Sequence, residues 1–230
     1  MIKIEKVVLP SPEQWKALIM GARNPMNSWS KSDSVYGTYW GKIDNHECID
    51  NDGFVIGVND LALMMKLCKA GTDHRKFMRM ITVYMDITAP LYWWKEFDTY
   101  KVGTVVNSCS TMHKIHAKEF TMEDFSHEHL ALYEVDGEIC RDFEGTLECT
   151  IDDLNVARKL YLETKDKKYW YTMIQLLPSS YNQKRTVMLN YEVLANIYHS
   201  RKNHKLDEWR EFCNWVETLP CPKELITFDK

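Results

Sequence analysis

No CxxC pair, no run of lysines and arginines and no long apolar stretch occurs in the 230 residues of this chain. The first absence excludes a zinc knuckle or a thioredoxin-type redox pair, since both need closely spaced thiols. The second disfavours a nucleic-acid polymer as partner, because phosphate backbones are met by clustered cations. The third leaves nothing near the length of a membrane span. The opening "MIKIEKVVLP" lacks the basic head, apolar run and small-residue cleavage site of a signal peptide. The expectation is therefore a cytoplasmic protein without a membrane partner. Its seven cysteines, Cys48, Cys68, Cys109, Cys140, Cys149, Cys213 and Cys221, are then expected to be reduced thiols.

What is present is an ordinary globular composition. Apolar residues make up 45% and charged residues 27%, with a net charge of −4. That balance argues against disorder, and the length is enough to bury a sizeable core. No internal repeat, low-complexity tract or linker interrupts it, so residues 1–230 read as a single domain.

The element pattern runs from a mixed first half to a mainly helical second half. Ser11-Pro12-Glu13-Gln14 is a capping box with proline at the first helical position, and predicts a helix to about Met20. Residues 24–54 are rich in Asn, Ser, Asp and Gly and read as loop, with one short strand near "VYGTYW". Asn59 or Asp60 is expected to cap a second helix that Gly71 ends. "FMRMITVYMDI" at 77–87 reads as a strand, or a helix end passing into one, and "PLYWWKEFDTY" as a helix. Beyond residue 150, "IDDLNVARKLYLETKD", "KKYWYTMIQLL", "RTVMLNYEVLANIYHSRK" and "LDEWREFCNWVETL" carry apolar residues at helical spacing.

Several constellations carry possible chemistry. Neighbouring residues on a helix point about 100° apart. Trp93 and Trp94 are thus not expected to face one core together, which leaves one of them for a second subunit or a planar ligand. His113 with His116, and His127 with His129, have spacings that share a helix or strand face, but no cysteine or carboxylate pattern completes a metal site. Cys109 and Ser110 are potential nucleophiles, which need a base and an oxyanion site. His74 lies between Asp73 and Arg75, where a loop meets a strand and a side chain can line a pocket. "NYEVLANIYHSR" holds Asn190, Asn196 and Arg201. Asparagine is a poor helix former, its amide suits a heteroaromatic edge, and arginine offers a planar fork for phosphate or carbonyl. A plain polar helix face is the competing reading.

These residues resemble the signature of the flavin-dependent thymidylate synthases. Leu177-Pro178, then Asn190, Leu194, Asn196 and Arg201, match that family in order and spacing. "GAR" at 21–23, His74 and Pro90 fall where it has an N-terminal arginine, a histidine before its central strand and a proline before its motif helix. The likeness spans about residues 15–215. It implies an α/β (α+β) fold with a central mixed or antiparallel sheet, flanking helices and a helical C-terminal half. It also implies a homotetramer that holds FAD and makes dTMP from dUMP, with methylenetetrahydrofolate and NADPH as co-substrates. Carried across by position, Arg201, Ser110 and Cys109 take the catalytic places. His74, Thr99, Lys101, Asn190 and Asn196 take the cofactor places, and Arg201, Ser110 and Lys101 the pyrimidine nucleotide.

The chain departs from the pattern where the family is most distinctive. Its Arg-His-Arg is Thr99, Tyr100 and Lys101 here, and its Glu-x-Ser-x-Arg becomes Asn107-Ser108-Cys109-Ser110-Thr111, with either Cys109 or Ser110 in the serine's place. A further arginine is replaced by Glu192, a charge that would repel phosphate. Lys101 and Arg201 can supply part of the lost charge, and Lys95, Arg75 or Lys114 are cations that can move in. The alternative function is a homologue of altered or lost catalysis, binding nucleotide or flavin as a regulatory or sequestering oligomer.

Overall fold

The computed structural model describes residues 2–36 and 54–228. Most of the expected loop at 24–54, the end of the expected "VYGTYW" strand and Cys48 lie outside them.

The elements follow in chain order. Strand β1 (Lys3–Val8) and helix α1 (Pro12–Arg23) lead into the short strands β2 (Val35–Tyr36) and β3 (Phe54–Val55), helix α2 (Val58–Lys69) and strand β4 (Thr82–Pro90). Helix α3 (Leu91–Phe97), strand β5 (Val105–Ser108), the hairpin β6 (Leu132–Val135) and β7 (Glu138–Asp142), and helices α4 (Phe143–Thr164) and α5 (Lys167–Leu176) come next. Strand β8 (Asn182–Asn190) then precedes α6 (Tyr191–Arg201), α7 (Asp207–Val216) and α8 (Pro222–Leu225). The main sheet has four strands in the order β1-β4-β8-β5, and β2-β3 and β6-β7 are antiparallel pairs. The α/β class and the helical C-terminal part agree with the sequence.

The chain forms two compact units, with boundaries after Lys3 in β1, after Asp86 in β4, after Thr99 beyond α3, after Val106 in β5 and after Arg185 in β8. The first unit takes Met1–Lys3, Ile87–Thr99 and Asn107–Arg185. Its core gathers Ile115, Phe120, Phe125, Leu147, Ile151, Leu154, Ala157 and Met173 beneath α4 and α5. The second takes Ile4–Asp86, Tyr100–Val106 and Thr186–Lys230. There Trp15 of α1 meets Tyr191 edge-on at 6.3 Å, and α6 packs on α7.

Local chemistry explains the boundaries. Ser11 and Gln14 form the expected capping box, and α1 runs on to Arg23. In α2, Gly57 is the capping residue and neither Asn59 nor Asp60 caps. Asp33 does so from a distant loop, its carboxylate accepting from the amides of Asn59 (2.9 Å) and Asp60 (3.1 Å). Asp60 turns inward instead. It is fully buried, ion-paired with Arg23, and accepts from Ser32 and from Ser34.

Two expectations are corrected. "RTVMLN" is not helical: it belongs to β8, and the helix begins only at Tyr191. Alternating burial at Val187 and Leu189 fits a strand, and apolar spacing alone did not separate that from a helix. Trp93 and Trp94 are both fully buried within this chain. Trp93 stacks on Phe97 at 5.0 Å, while the indole N–H of Trp94 donates to the Gln183 carbonyl at 2.9 Å. The first-turn amides of α3 also donate to the carbonyls of Tyr181 and Ser179, 3.0 Å each. A short helix enclosed on more than one side can bury adjacent positions.

The hairpin was not anticipated. Asp136 and Gly137 have φ of 53° and 82°, the conformation that Asp-Gly supplies to a tight hairpin turn.

Candidate functional site

The residues singled out by sequence divide between the units. Thr99, Cys109 and Ser110 belong to the first; His74, Lys101, Asn190, Asn196 and Arg201 belong to the second.

In the first unit, Cys109 is fastened by its backbone to β8. Its amide donates to the Lys184 carbonyl at 3.0 Å, and its carbonyl accepts from Gln183 Nε2 at 2.8 Å. Ser110 Oγ accepts from the amides of His113 (2.9 Å) and Met112 (3.3 Å), so its oxygen closes a local turn. His113 meets Ser110 through its backbone amide. Cys109 and Ser110 are both exposed. Thr99 is exposed as well, with its hydroxyl donating to the Glu96 carbonyl at 2.7 Å. Arg185 stands close by on β8. Its guanidinium lies 4.2 Å from the centre of the Trp94 ring, and Nη1 donates to Asp98 at 2.8 Å. The sequence reading missed this arginine, because nothing in spacing links 185 to 94 and 98.

In the second unit, Asn190 is the N-cap of α6 rather than a residue within it, which explains this asparagine, while Asn196 stays inside the helix. The side-chain oxygen of Asn190 accepts from the Val193 amide at 3.1 Å, and Nδ2 donates to the Gly103 carbonyl at 3.4 Å. Gly103 has φ of +80°, and a Cβ there would stand 2.8 Å from Asn190 Nδ2, so the turn after Lys101 requires glycine. Lys101 and His74 are exposed, and Asn196 is half-buried midway along α6.

Arg201 is the last residue of α6 and is half-buried. Its Nε donates to the Tyr100 hydroxyl at 2.9 Å, and its guanidinium lies 4.9 Å from the Trp209 ring centre and 5.8 Å from that of Tyr100. Tyr100 and Trp209 themselves meet edge-on at 6.0 Å.

Glu192 is also in the second unit, and it is not a loose negative charge. It is buried and held by Arg75 and Arg79. Burial would raise its carboxyl, but the hydrogen bonds and charges of Arg79 and Arg75 outweigh this and hold it below the usual value. Arg75, named above as a cation able to move toward a phosphate, is itself buried in this pair.

The remaining thiols and imidazoles show less chemistry. Burial pushes the Cys68 and Cys213 thiols up to about 12 each, which leaves them protonated and unreactive at neutral pH. His116 packs edge-on against Tyr161 at 4.9 Å, and His127 lies 3.7 Å from Glu144. Among the described residues, no three His, Cys, Asp or Glu side chains converge as a metal site, and no helix is long and apolar enough to cross a membrane.

No family model matches the chain, and neither does any curated protein. Solved structures do match its fold. The flavin-dependent thymidylate synthase ThyX from Helicobacter pylori, complexed with FAD and dUMP, is 15% identical with a TM-score of 0.62, covering 98% of this chain and 97% of that one. A UMP/dUMP methylase, PolB from Streptomyces cacaoi, bound with 5-Br dUMP, is 14% identical with a TM-score of 0.57, covering 99% of this chain and 94% of that one. At such identities the likeness establishes the fold.

Proposed function

We propose that this chain is a flavin-dependent pyrimidine nucleotide methyltransferase of the thymidylate synthase type, acting on dUMP or a close relative. The observation that carries the reading is a fold shared over nearly the whole chain with a thymidylate synthase and a UMP/dUMP methylase, together with residues matching that signature in order. Arg201 takes the nucleotide, as a charged planar donor suited to phosphate or a uracil carbonyl. Ser110, Cys109 and Lys101 complete the substrate set.

His74, Thr99, Lys101, Asn190 and Asn196 are the cofactor set, with FAD as the resident group. Exposed Lys101 and His74 suit a dinucleotide's diphosphate in kind. Asn190 uses one acceptor site of its amide on the Val193 amide and one donor on the Gly103 carbonyl. It acts on the site by fixing the turn that follows Lys101. Bound flavin supplies the hydride, with NADPH and methylenetetrahydrofolate as co-substrates. The chain's own residues bind the phosphate, orient the uracil and hold the 101–104 turn in place. The protein is cytoplasmic and a homotetramer.

A second reading is favoured by one specific observation. Thr99 is hydrogen-bonded to its own helix, and Arg75 is paired with Glu192. A hydroxyl at the altered motif and a cation suited to phosphate are thus engaged within the chain. On that reading the protein binds nucleotide or flavin without methyl transfer, as a regulatory or sequestering oligomer.

Native purification separates the two. A yellow protein that releases FAD on denaturation and converts dUMP to dTMP supports the enzyme. A protein stabilised by dUMP but inert in that assay supports the binder. Absence of both flavin and nucleotide binding removes the proposal altogether.

A further inference from the structure

We propose that Tyr100 is a positioning residue for nucleotide binding, acting with Trp209 by fixing the guanidinium of Arg201 before ligand arrives. The inference rests on the reading of Arg201 as the nucleotide-binding arginine.

Arg201 ends α6, where a long side chain with several rotatable bonds has much conformational freedom to lose. Any of that freedom removed in advance lowers the cost of binding. Two constraints do so here. The Tyr100 hydroxyl accepts from Nε at 2.9 Å, which sets the rotation of the guanidinium plane. The Trp209 ring lies 4.9 Å from the guanidinium and sets its height. Trp209 is fully buried on α7 and Tyr100 half-buried, so both constraints come from held side chains.

The segment bearing Tyr100 is held in turn. Three residues on, the Gly103 carbonyl accepts from Asn190 Nδ2 at 3.4 Å, and the positive φ of Gly103 closes the turn. Asn190 also caps α6, the helix that carries Arg201. One asparagine therefore ties the start of the helix bearing Arg201 to the loop bearing its hydrogen-bond partner.

The test is a double-mutant cycle on dUMP binding to the full-length protein, read by calorimetry. The variants are Tyr100→Phe, Arg201→Lys and both together. Tyr100→Phe keeps the ring and removes the acceptor. It should weaken dUMP binding about fivefold in the wild-type background, the scale of one modest hydrogen bond, with no loss in thermal midpoint. In the Arg201→Lys background, where no Nε–H fork remains, the same change should cost nothing, because the two residues act as one unit. An equal loss in both backgrounds, or no loss in either, overturns the positioning role while leaving Arg201 as the nucleotide ligand. If wild-type protein shows no dUMP binding, the functional reading falls and this inference with it. Should Tyr100→Phe lower the thermal midpoint, Tyr100→Gln, which retains an acceptor without the ring, replaces it. Retention of dUMP affinity better than in Tyr100→Ala supports the role, and equal affinity overturns it.

Discussion

Arg75 donates through Nε to Glu192 at 3.3 Å, and both side chains are about nine-tenths buried. Arg79 holds the other carboxylate oxygen from a half-exposed position, its side chain 51% accessible. The asymmetry gives a ranking. Glu192→Ala strands the buried Arg75 and should cost about 3–5 kcal/mol, the scale for breaking a buried ion pair. Arg79→Ala should cost less, because that side chain is half exposed and Arg75 stays on the carboxylate. Urea unfolding of the two variants measures both, and equal losses would contradict the assignment.

Acid should weaken the fold through the same kind of group. At Asp60 burial acts to raise the carboxyl, but hydrogen bonds from Ser34, Ser32 and Arg23 and the Arg23 charge leave it below its ordinary 3.8. Glu192 likewise lies below its ordinary 4.5. A folded value under the unfolded one means the stabilisation is complete above the unfolded value and is lost as pH falls through the folded one. Stability should therefore decline as pH drops below about 4.5, and Glu192→Gln should flatten the decline. Denaturant midpoints measured from pH 6 to pH 2 check this.

Arg201→Ala should reduce dUMP affinity by about 1.5–3 kcal/mol, the range for a hydrogen bond to a charged group. Titration of a variant with unchanged circular dichroism gives the answer, and unaltered affinity would take Arg201 out of the site.

Turnover on dUMP should be slow. Thr99, Tyr100 and Lys101 keep one cation where the resembled motif has two arginines, and loss of one electrostatic group aimed at developing charge costs about 10²–10³ in rate. NADPH-dependent flavin reduction should survive better than dTMP formation, and Thr99→Arg with Lys101→Arg should raise the latter. Parallel assays of one preparation decide it. Wild-type dTMP synthesis at about 1 s⁻¹ or faster would show that the altered motif is no handicap.

Light scattering at micromolar concentration should return the mass of a tetramer. The tryptophan pair no longer argues for this, because both rings are buried within one chain. The resemblance to a tetrameric family supports a tetramer, and a monomeric mass would refute it.

The sequence by itself determined the features that depend on near neighbours. Ser11, Pro12 and Gln14 specified the start of α1 because a capping box is closed within four residues. Gly71 specified the end of α2 in the same way, and the order of Leu177-Pro178, Asn190, Asn196 and Arg201 was enough to suggest the fold. Tertiary structure decided what depends on residues far apart in the chain. Asp33 caps a helix that starts 25 residues later. Val187 and Leu189 are strand residues because β8 lies between β4 and β5, an environment that local apolar spacing does not encode. Glu192 is benign because Arg75 and Arg79 come to it, and Arg201 meets Tyr100 across a separation of 101 residues. Burial and ion pairing are properties of assembled surroundings, so a residue's type announces its chemistry while only the fold assigns its partner.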